Sequence, residues 1–136
     1  TVSGSSGPSF YLPENTIIDN PYGEGISFKA SGTFLVHYVI HFGPMVPLNG
    51  ATLNHDYVQL QFTKTKSNGV DQSSSAMTTV ASCRAYPNTT GYIIARVDVA
   101  STNTDSDEYK LYITHGDYPN AAIQIRSFHY VAYSMI

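Results

Sequence analysis

The feature that most constrains the fold is an alternation of side-chain types that recurs along nearly the whole chain. Its longest instance is the last sixteen residues, 121–136, AAIQIRSFHYVAYSMI. Successive side chains of a β-strand point to opposite faces of a sheet, so a period of two predicts a strand. Because both alternating sets contain apolar residues, we expect this strand to be covered on both faces, by a second sheet or by another copy of the protein.

Shorter alternating segments predict the other strands, and no segment after Phe10 has the apolar spacing of a helix. The predicted strands include 26–30, 33–42, 57–63, 76–85, 92–100 and 109–114, separated by turn formers such as Asn68-Gly69. From three of them we expect these residues to face the core: Val58, Leu60 and Phe62; Ile93, Ala95, Val97 and Val99; Leu111 and Ile113. The pattern predicts an all-β domain, an antiparallel β-sandwich with a jelly roll of about eight main strands.

The domain organisation follows from length and from the first residues. With 136 residues the chain has the size of one domain. Residues 1–9, TVSGSSGPS, predict a Gly/Ser-rich linker or stalk end, and residues 10–136 predict a β-sandwich head. No apolar run approaches the length that spans a bilayer. The single cysteine, Cys83, excludes an internal disulfide.

Charge is scarce in this sequence. Charged residues make up 12%, about half the usual share, and the net charge is −3 with only seven Lys and Arg. A phosphate backbone would meet no basic stripe, so we expect no nucleic-acid partner. Eleven Tyr and no Trp are a second bias. Surfaces rich in Tyr, Ser and Asn are typical of adaptable hydrogen bonding, which favours a glycan or protein ligand.

Two histidines on one face of a predicted strand invite a metal hypothesis. His37 and His41 are four residues apart, about 13 Å along a strand, whereas a zinc–nitrogen bond is about 2 Å, so one chain cannot chelate an ion with both. A subunit interface or a partly buried sheet position explains them better, and the same holds for His129. We expect a subunit interface to contain His37 and His41, together with Phe128 and Tyr130.

The acidic loop at 101–108 is a weak calcium candidate through Asp105 and Asp107. An EF-hand loop needs Gly at its sixth position and Glu at its twelfth, where this chain has Glu108 and Thr114. A solvated acidic turn is therefore favoured over an irregular calcium site. We expect no metal and no cofactor.

No catalytic constellation stands out in the sequence. The G-x-S-x-G and H-E-x-x-H motifs are absent, and the carboxylates lie in separate predicted turns. We therefore expect that the protein is not an enzyme. Asn88-Thr89-Thr90 is an N-glycosylation sequon, which matters only on a eukaryotic secretory route.

Polar and aromatic residues between the strands are the candidates for ligand binding. A Tyr ring can cover the C–H groups of a sugar, while Asn, Asp and Arg bond to its hydroxyls. The same residue types are also ordinary turn formers. The candidates are Tyr57, Arg84, Tyr86, Asn88, His115, Asp117, Tyr118 and Asn120, with Asn49, Asn54 and His55 at neighbouring loop tips.

Two segments carry a resemblance to a known family. The Gly-rich leader followed by ISFKASGTFLVHYVIHF resembles the opening of C1q-like domains, and IQIRSFHYVAYSMI resembles the final strand of C1q/TNF-like jelly rolls. Those jelly rolls include trimeric heads of viral and phage fibres and bacterial TNF-like lectins. The resemblance implies a homotrimer in which an aromatic face of each protomer packs around a threefold axis.

Together these features predict the receptor-binding head of a viral or phage fibre or spike. We expect it to bind a cell-surface glycan or protein as a homotrimer, outside the cell or on the virion surface, without membrane insertion. One alternative is a monomeric carbohydrate-binding module or lectin domain of a secreted protein, which should have one fully polar sheet face with a few exposed aromatic residues. A purely structural capsid or spike component is a second alternative.

Overall fold

The structure, a computed structural model, describes residues 2–5, 10–12, 16–18, 25–73, 77–117 and 120–135, the first three of these segments as backbone alone. This part of the chain forms β-strands and one short 3-10 helix. The elements are β1 Val2–Ser5, β2 Phe10–Leu12, β3 Thr16–Ile18, β4 Gly32–Pro47, β5 Val58–Ser67, β6 Val70–Asp71, β7 Thr78–Ala85, β8 Thr90–Val99, the 3-10 helix Ser101–Asn103, β9 Glu108–Thr114 and β10 Ala121–Ser134.

The strands form two antiparallel sheets. In the first sheet the order is β1-β10-β4-β8, and β2 also pairs with β10. In the second sheet the order is β3-β9-β5, and both β7 and the short β6 pair with the other edge of β5. After β2 the chain crosses from one sheet to the other at every main connection except β5–β7. This is the predicted antiparallel sandwich and jelly roll, with eight main strands when β1 and β2 count as one and β6 as part of a hairpin.

The core lies between the sheets and contains the alternating residues that the sequence predicts. Val36, Tyr38 and Ile40 of β4 are buried opposite Leu60 and Phe62 of β5. The Tyr38 and Phe62 rings lie 5.9 Å apart. The predicted inward sets of β5, β8 and β9 are all buried, which confirms those predictions. Burial of each large apolar side chain contributes roughly 1.5–3 kcal/mol.

Strand β10 departs from the predicted simple alternation. Its register against β4 shifts twice, between Ile123 and Ile125 and again after Ile125. Gly43 of β4 makes room for these bulges, since a side chain there would collide with those of Gln124 and Arg126. The shifts turn both apolar sets of the strand inward, first 123 and 125, then 128, 130 and 132. One face of the strand therefore collects both apolar sets, and Val131 and Tyr133 are left on the other face.

Two other segments differ from the sequence predictions. Val2–Ser5, within the predicted linker, pairs as β1 with β10. The segment 26–30 forms only an isolated bridge between Ile26 and Tyr109, although Ile26 and Phe28 are buried. No helix in the described part of the chain is long and apolar enough to cross a membrane.

Candidate functional site

The outer face of the first sheet is unusually apolar. The cross-strand rows His129–Val39–Tyr92, Val131–His37–Ile94 and Tyr133–Leu35–Arg96 run across β10, β4 and β8. Tyr92 and Ile94 are 58% and 57% exposed, and Tyr133 and Met135 are exposed as well. Adjacent exposed apolar side chains on a sheet are characteristic of a contact surface. We call Leu35, His37, Val39, Tyr92, Ile94, Val131 and Tyr133 the first-sheet outer face.

Both histidines that the sequence places at an interface belong to this side of the sheet. The His37 ring lies 6.1 Å from that of Tyr92. The His41 ring lies 6.2 Å from that of His129, and its Nδ1 is 3.1 Å from Thr90 Oγ1. Three imidazoles therefore share a face that otherwise consists largely of apolar side chains.

The two aromatic residues predicted for the interface lie on the opposite side of β10. Phe128 and Tyr130 are buried in the protomer's own core, and the rings of Tyr38 and Tyr130 are 5.5 Å apart. The cause is the pair of register shifts, after which the even-numbered residues of β10 face inward. That prediction needs correction: the outward positions of this strand are His129, Val131 and Tyr133.

The outer face of the second sheet is polar. Its rows are Arg84–Gln59–Thr114 and Ser82–Gln61–Tyr112, across β7, β5 and β9. Gln59 Nε2 donates a hydrogen bond of 2.6 Å to Ser82 Oγ. We call these six residues the second-sheet outer face. A shallow groove beside it is lined by Gln61, Thr63, Met77, Thr79 and Tyr112, with Tyr112 Oη 3.5 Å from Met77 Sδ.

A recess opens at one end of the sandwich, where the β4–β5, β7–β8 and β9–β10 connections meet. It has a volume of about 580 Å³, within the range of roughly 300–1,000 Å³ of small-molecule pockets. One part of its wall is apolar and the other carries amides, an imidazole and a carboxylate. We call it the loop-end recess; it is lined by Pro44, Met45, Leu53, Asn54, His55, Asp56, Pro87 and Asn88.

Asp117 holds one wall of the loop-end recess in place. Its carboxylate is buried and accepts hydrogen bonds from the backbone N–H groups of Asn54, at 3.0 Å, and His55, at 2.9 Å. His55 Nδ1 lies 3.2 Å from the same carboxylate. Burial raises the pKa of Asp117, but these hydrogen bonds outweigh it, so the pKa lies below its ordinary value. Asp117 therefore positions the loop rather than facing a ligand.

The His55 ring is fixed by its neighbours. It packs on Gly116, where an added Cβ would approach the ring to 2.8 Å. It also makes an edge-to-face contact with Tyr57, with ring centroids 5.8 Å apart. The Arg84 guanidinium lies 4.0 Å from the centre of the Tyr57 ring, a cation–π contact. Three of the predicted binding residues, Tyr57, Arg84 and Asp117, are thus connected through His55.

Asn88 lines the opposite wall. Its backbone has a φ of 61°, and its N–H donates to the Gly43 carbonyl at 2.9 Å. Asn is one of the residue types that tolerate this left-handed conformation. The hydrogen bond ties the β7–β8 turn to β4, so this wall, like the Asp117-bound one, is held by backbone contacts.

Three other predicted binding residues, Tyr86, His115 and Asn120, lie around the same end of the sandwich, outside the recess lining. Tyr86 is 49% exposed on the turn before Asn88, whereas His115 is buried. The Asn120 carbonyl accepts a hydrogen bond of 2.8 Å from the Leu48 N–H. Tyr118 lies outside the described residues.

The carboxylate of Asp107 in the acidic loop makes its contacts within the protomer. Asp107 is buried; its Oδ2 lies 3.2 Å from Lys64 Nζ, and its Oδ1 accepts a hydrogen bond of 2.7 Å from the Asn68 N–H. Burial raises the pKa of Asp107, but the hydrogen bonds from Asn68, Lys64 and Asn103 outweigh it and lower the pKa. Asp105 has a φ of 60° in the same turn. Within the described ranges no three His, Cys, Asp or Glu side chains cluster as metal ligands do.

The sequence predictions omitted the apolar part of the recess and its carboxylate. Leu53 and Asp56 lie in a long irregular loop without periodicity, and Met45 follows a bulge. The only signal in the sequence is the position of Asp56 next to Asn54 and His55, two residues that are predicted to lie at a polar loop tip.

Comparison with models of known families finds no match, and comparison with curated proteins finds none either. Among solved structures, the chain is similar to the C-terminal family 22 carbohydrate-binding module of Clostridium thermocellum Xyn10B. The TM-score is 0.43 and the identity 13%, over 98% of this chain and 87% of that chain. At this distance the likeness assigns no role to any residue.

Proposed function

We propose that this protein is a homotrimeric attachment head that binds a cell-surface ligand, with a glycan as the favoured class. The observation that carries the proposal is the first-sheet outer face, where Tyr92 and Ile94 of β8 and Tyr133 of β10 are exposed on the same side of the sheet. Covering this face with copies of itself would remove apolar area from water, which is the main favourable contribution to association. An exposed aromatic face on each protomer is also what the C1q/TNF-like resemblance implies for packing around a threefold axis.

The geometry supports an attachment role because the ligand-binding candidates lie away from this face. The loop-end recess is at the end of the sandwich where β10 begins, whereas Val2 pairs with Ala132 near the other end of β10. A stalk joined before Val2 would therefore leave three recesses pointing away from it. Three weak sites on one head bind a multivalent surface more tightly than one, through effective concentration. Such a head would work outside the cell or on a virion surface.

The test of assembly is the mass in solution by light scattering, at micromolar concentration and after dilution. We expect about three times the chain mass of 14.9 kDa. A stable mass of 14.9 kDa at both concentrations would refute the homotrimer.

The second candidate function is a monomeric carbohydrate-binding module. The observation in its favour is the second-sheet outer face, which is polar and carries Tyr112 and Arg84 among hydrogen-bonding side chains. It would give a monomer in solution and sugar binding that is lost when Tyr112 is replaced by Ala. A stable trimer without binding to a broad glycan panel would instead favour a purely structural capsid or spike component.

A further inference from the structure

We propose that the loop-end recess is a binding site for a neutral sugar. This inference rests on the proposed attachment function and adds to it the place on the protomer and the class of ligand. Three properties of the recess support it: the composition of the wall, the charge of the lining and the rigidity of the wall.

The wall of the recess matches the two-sided character of a pyranose. Met45, Leu53 and Pro87 form an apolar part that the C–H face of a sugar can cover. Asn54 and Asn88 bring amide groups that both donate and accept hydrogen bonds, as pairs of sugar hydroxyls require. A purely apolar ligand would leave these amides unsatisfied, and a purely polar one would not cover the apolar part.

The charge of the recess favours neutral sugars over acidic ones. Among the described residues, its lining includes Asp56 and no Lys or Arg, and none of the ion pairs in this part of the chain involves Asp56. The carboxylate of a sialic or uronic acid would meet a like charge there, which is unfavourable. A carboxylate instead accepts strong, charge-assisted hydrogen bonds from hydroxyl groups.

The recess is also held in shape before a ligand arrives. Asp117 fixes the backbone of residues 54 and 55, and the hydrogen bond from Asn88 to Gly43 fixes the opposite wall. A site whose walls are already ordered loses less entropy on binding. Because all of these contacts lie within one protomer, the site does not depend on trimer formation.

The experiment is saturation-transfer NMR with methyl glycosides of galactose, glucose, mannose and N-acetylglucosamine, and with the methyl glycoside of sialic acid. We expect binding of at least one neutral glycoside and none of the sialoside. Backbone amide shifts should change at Asn54 to Asp56 and at Asn88, while those of the second-sheet outer face should not.

Variants of the recess decide its location. D56A removes the carboxylate, and N88G removes an amide at a position where Gly accepts the positive φ. We expect each to weaken binding about tenfold, the usual result of losing one good hydrogen bond to a charged or well-ordered group. The matched control is Q61A on the second-sheet outer face, which should keep the original affinity. Far-UV circular dichroism checks that all variants fold.

The outcomes separate this inference from the proposed function. If D56A and N88G leave binding unchanged, the sugar site lies elsewhere and its assignment to the loop-end recess is overturned. The proposed glycan attachment would still stand in that case. Absence of binding by every neutral glycoside, or binding of the sialoside alone, would overturn the sugar class. The assembly is judged independently by mass, and a monomeric variant such as I94K should still bind the glycosides, because the recess lies within one protomer.

Discussion

The two outer faces of this sandwich differ sharply, although both belong to antiparallel sheets of one small domain. The second-sheet outer face is built from Gln, Ser, Thr, Arg and Tyr side chains, as expected for a sheet that faces water. The first-sheet outer face places Tyr92 and Ile94 beside Leu35 and Val39, with histidines as its main polar groups. The same fold thus carries one face suited to solvent and one suited to contact.

The faces also differ in how they use charge. Near the second sheet, Lys64 pairs with the buried Asp107, and Lys66 and Lys110 both lie within 4.0 Å of Glu108 carboxylate oxygens. The first sheet has an exposed pair, Arg96 with Asp98, at the margin of its outer face. Ion pairs therefore contribute to the fold at the second sheet. The first sheet instead leaves its central rows free of permanent charge, which makes them easier to desolvate.

The largest effect should come from placing a charge in the middle cross-strand row of the first-sheet outer face, at Ile94 of β8. We expect I94K to convert the proposed trimer to a monomer, because burying an unpaired ammonium costs roughly 3–5 kcal/mol at each protomer. The matched control is T79K on β7, an exposed position beside the second-sheet outer face. Light scattering measures both, and an I94K protein that keeps three times the chain mass would contradict the assignment of this face.

A smaller effect is expected for D107N, which breaks the buried contact with Lys64. The free energy of unfolding should fall by about 1–3 kcal/mol, since Lys64 is partly exposed and can recover some hydration. The control D71N removes a carboxylate that is 85% exposed near Lys66, where the loss should be under about 0.5 kcal/mol. Urea denaturation gives both values, and equal losses would show that burial of Asp107 contributes nothing.

The pH dependence of the stability difference between the original protein and D107N gives a second test of the contribution of Asp107. The pKa of Asp107 is lowered in the folded protein, so its contribution is present above the unfolded-state pKa, about 4, and is lost as the pH falls through the folded pKa. The difference in stability between the original protein and D107N should therefore persist at pH 7 and shrink below about pH 4. A difference that stays constant to about pH 2 would contradict this.

The smallest effect is expected for Y112F on the polar side. It removes the contact between the Tyr112 hydroxyl and Met77 Sδ, which is long at 3.5 Å. We expect less than about 0.5 kcal/mol of change in stability and no change in mass. A Y112F protein that loses its assembly would reverse the assignment of the two faces.

The architecture was predictable because, in most strands, the apolar residues that alternate in the sequence are the ones whose side chains are buried. In β8, Ile93, Ala95, Val97 and Val99 alternate with outward residues and are buried as predicted. Strand β10 was the exception. Its bulges move Phe128 and Tyr130 to the inner face, and nothing in the composition of the strand marks where a register shift falls.

The site was predictable only in part, for a different reason. Tyr57, Arg84, Asn88 and Asp117 were recognisable as polar or aromatic loop residues, but their grouping depends on three connections far apart in sequence. The role of Asp117 is also hidden from sequence, since an anchor for backbone N–H groups and a ligand-binding carboxylate are the same residue type. Leu53 and Met45 become part of a wall only once the jelly roll brings them together.

The position of β10 also has a consequence for synthesis of the chain. This strand is the last of the described elements to leave the ribosome, yet it lies between β4 on one side and β1 and β2 on the other. The second sheet can be complete once β9 has emerged, whereas the first sheet must wait with the edge of β4 unpaired. Nascent chains should therefore pass through a stage that exposes this edge, at which pairing between neighbouring chains on one messenger competes with folding.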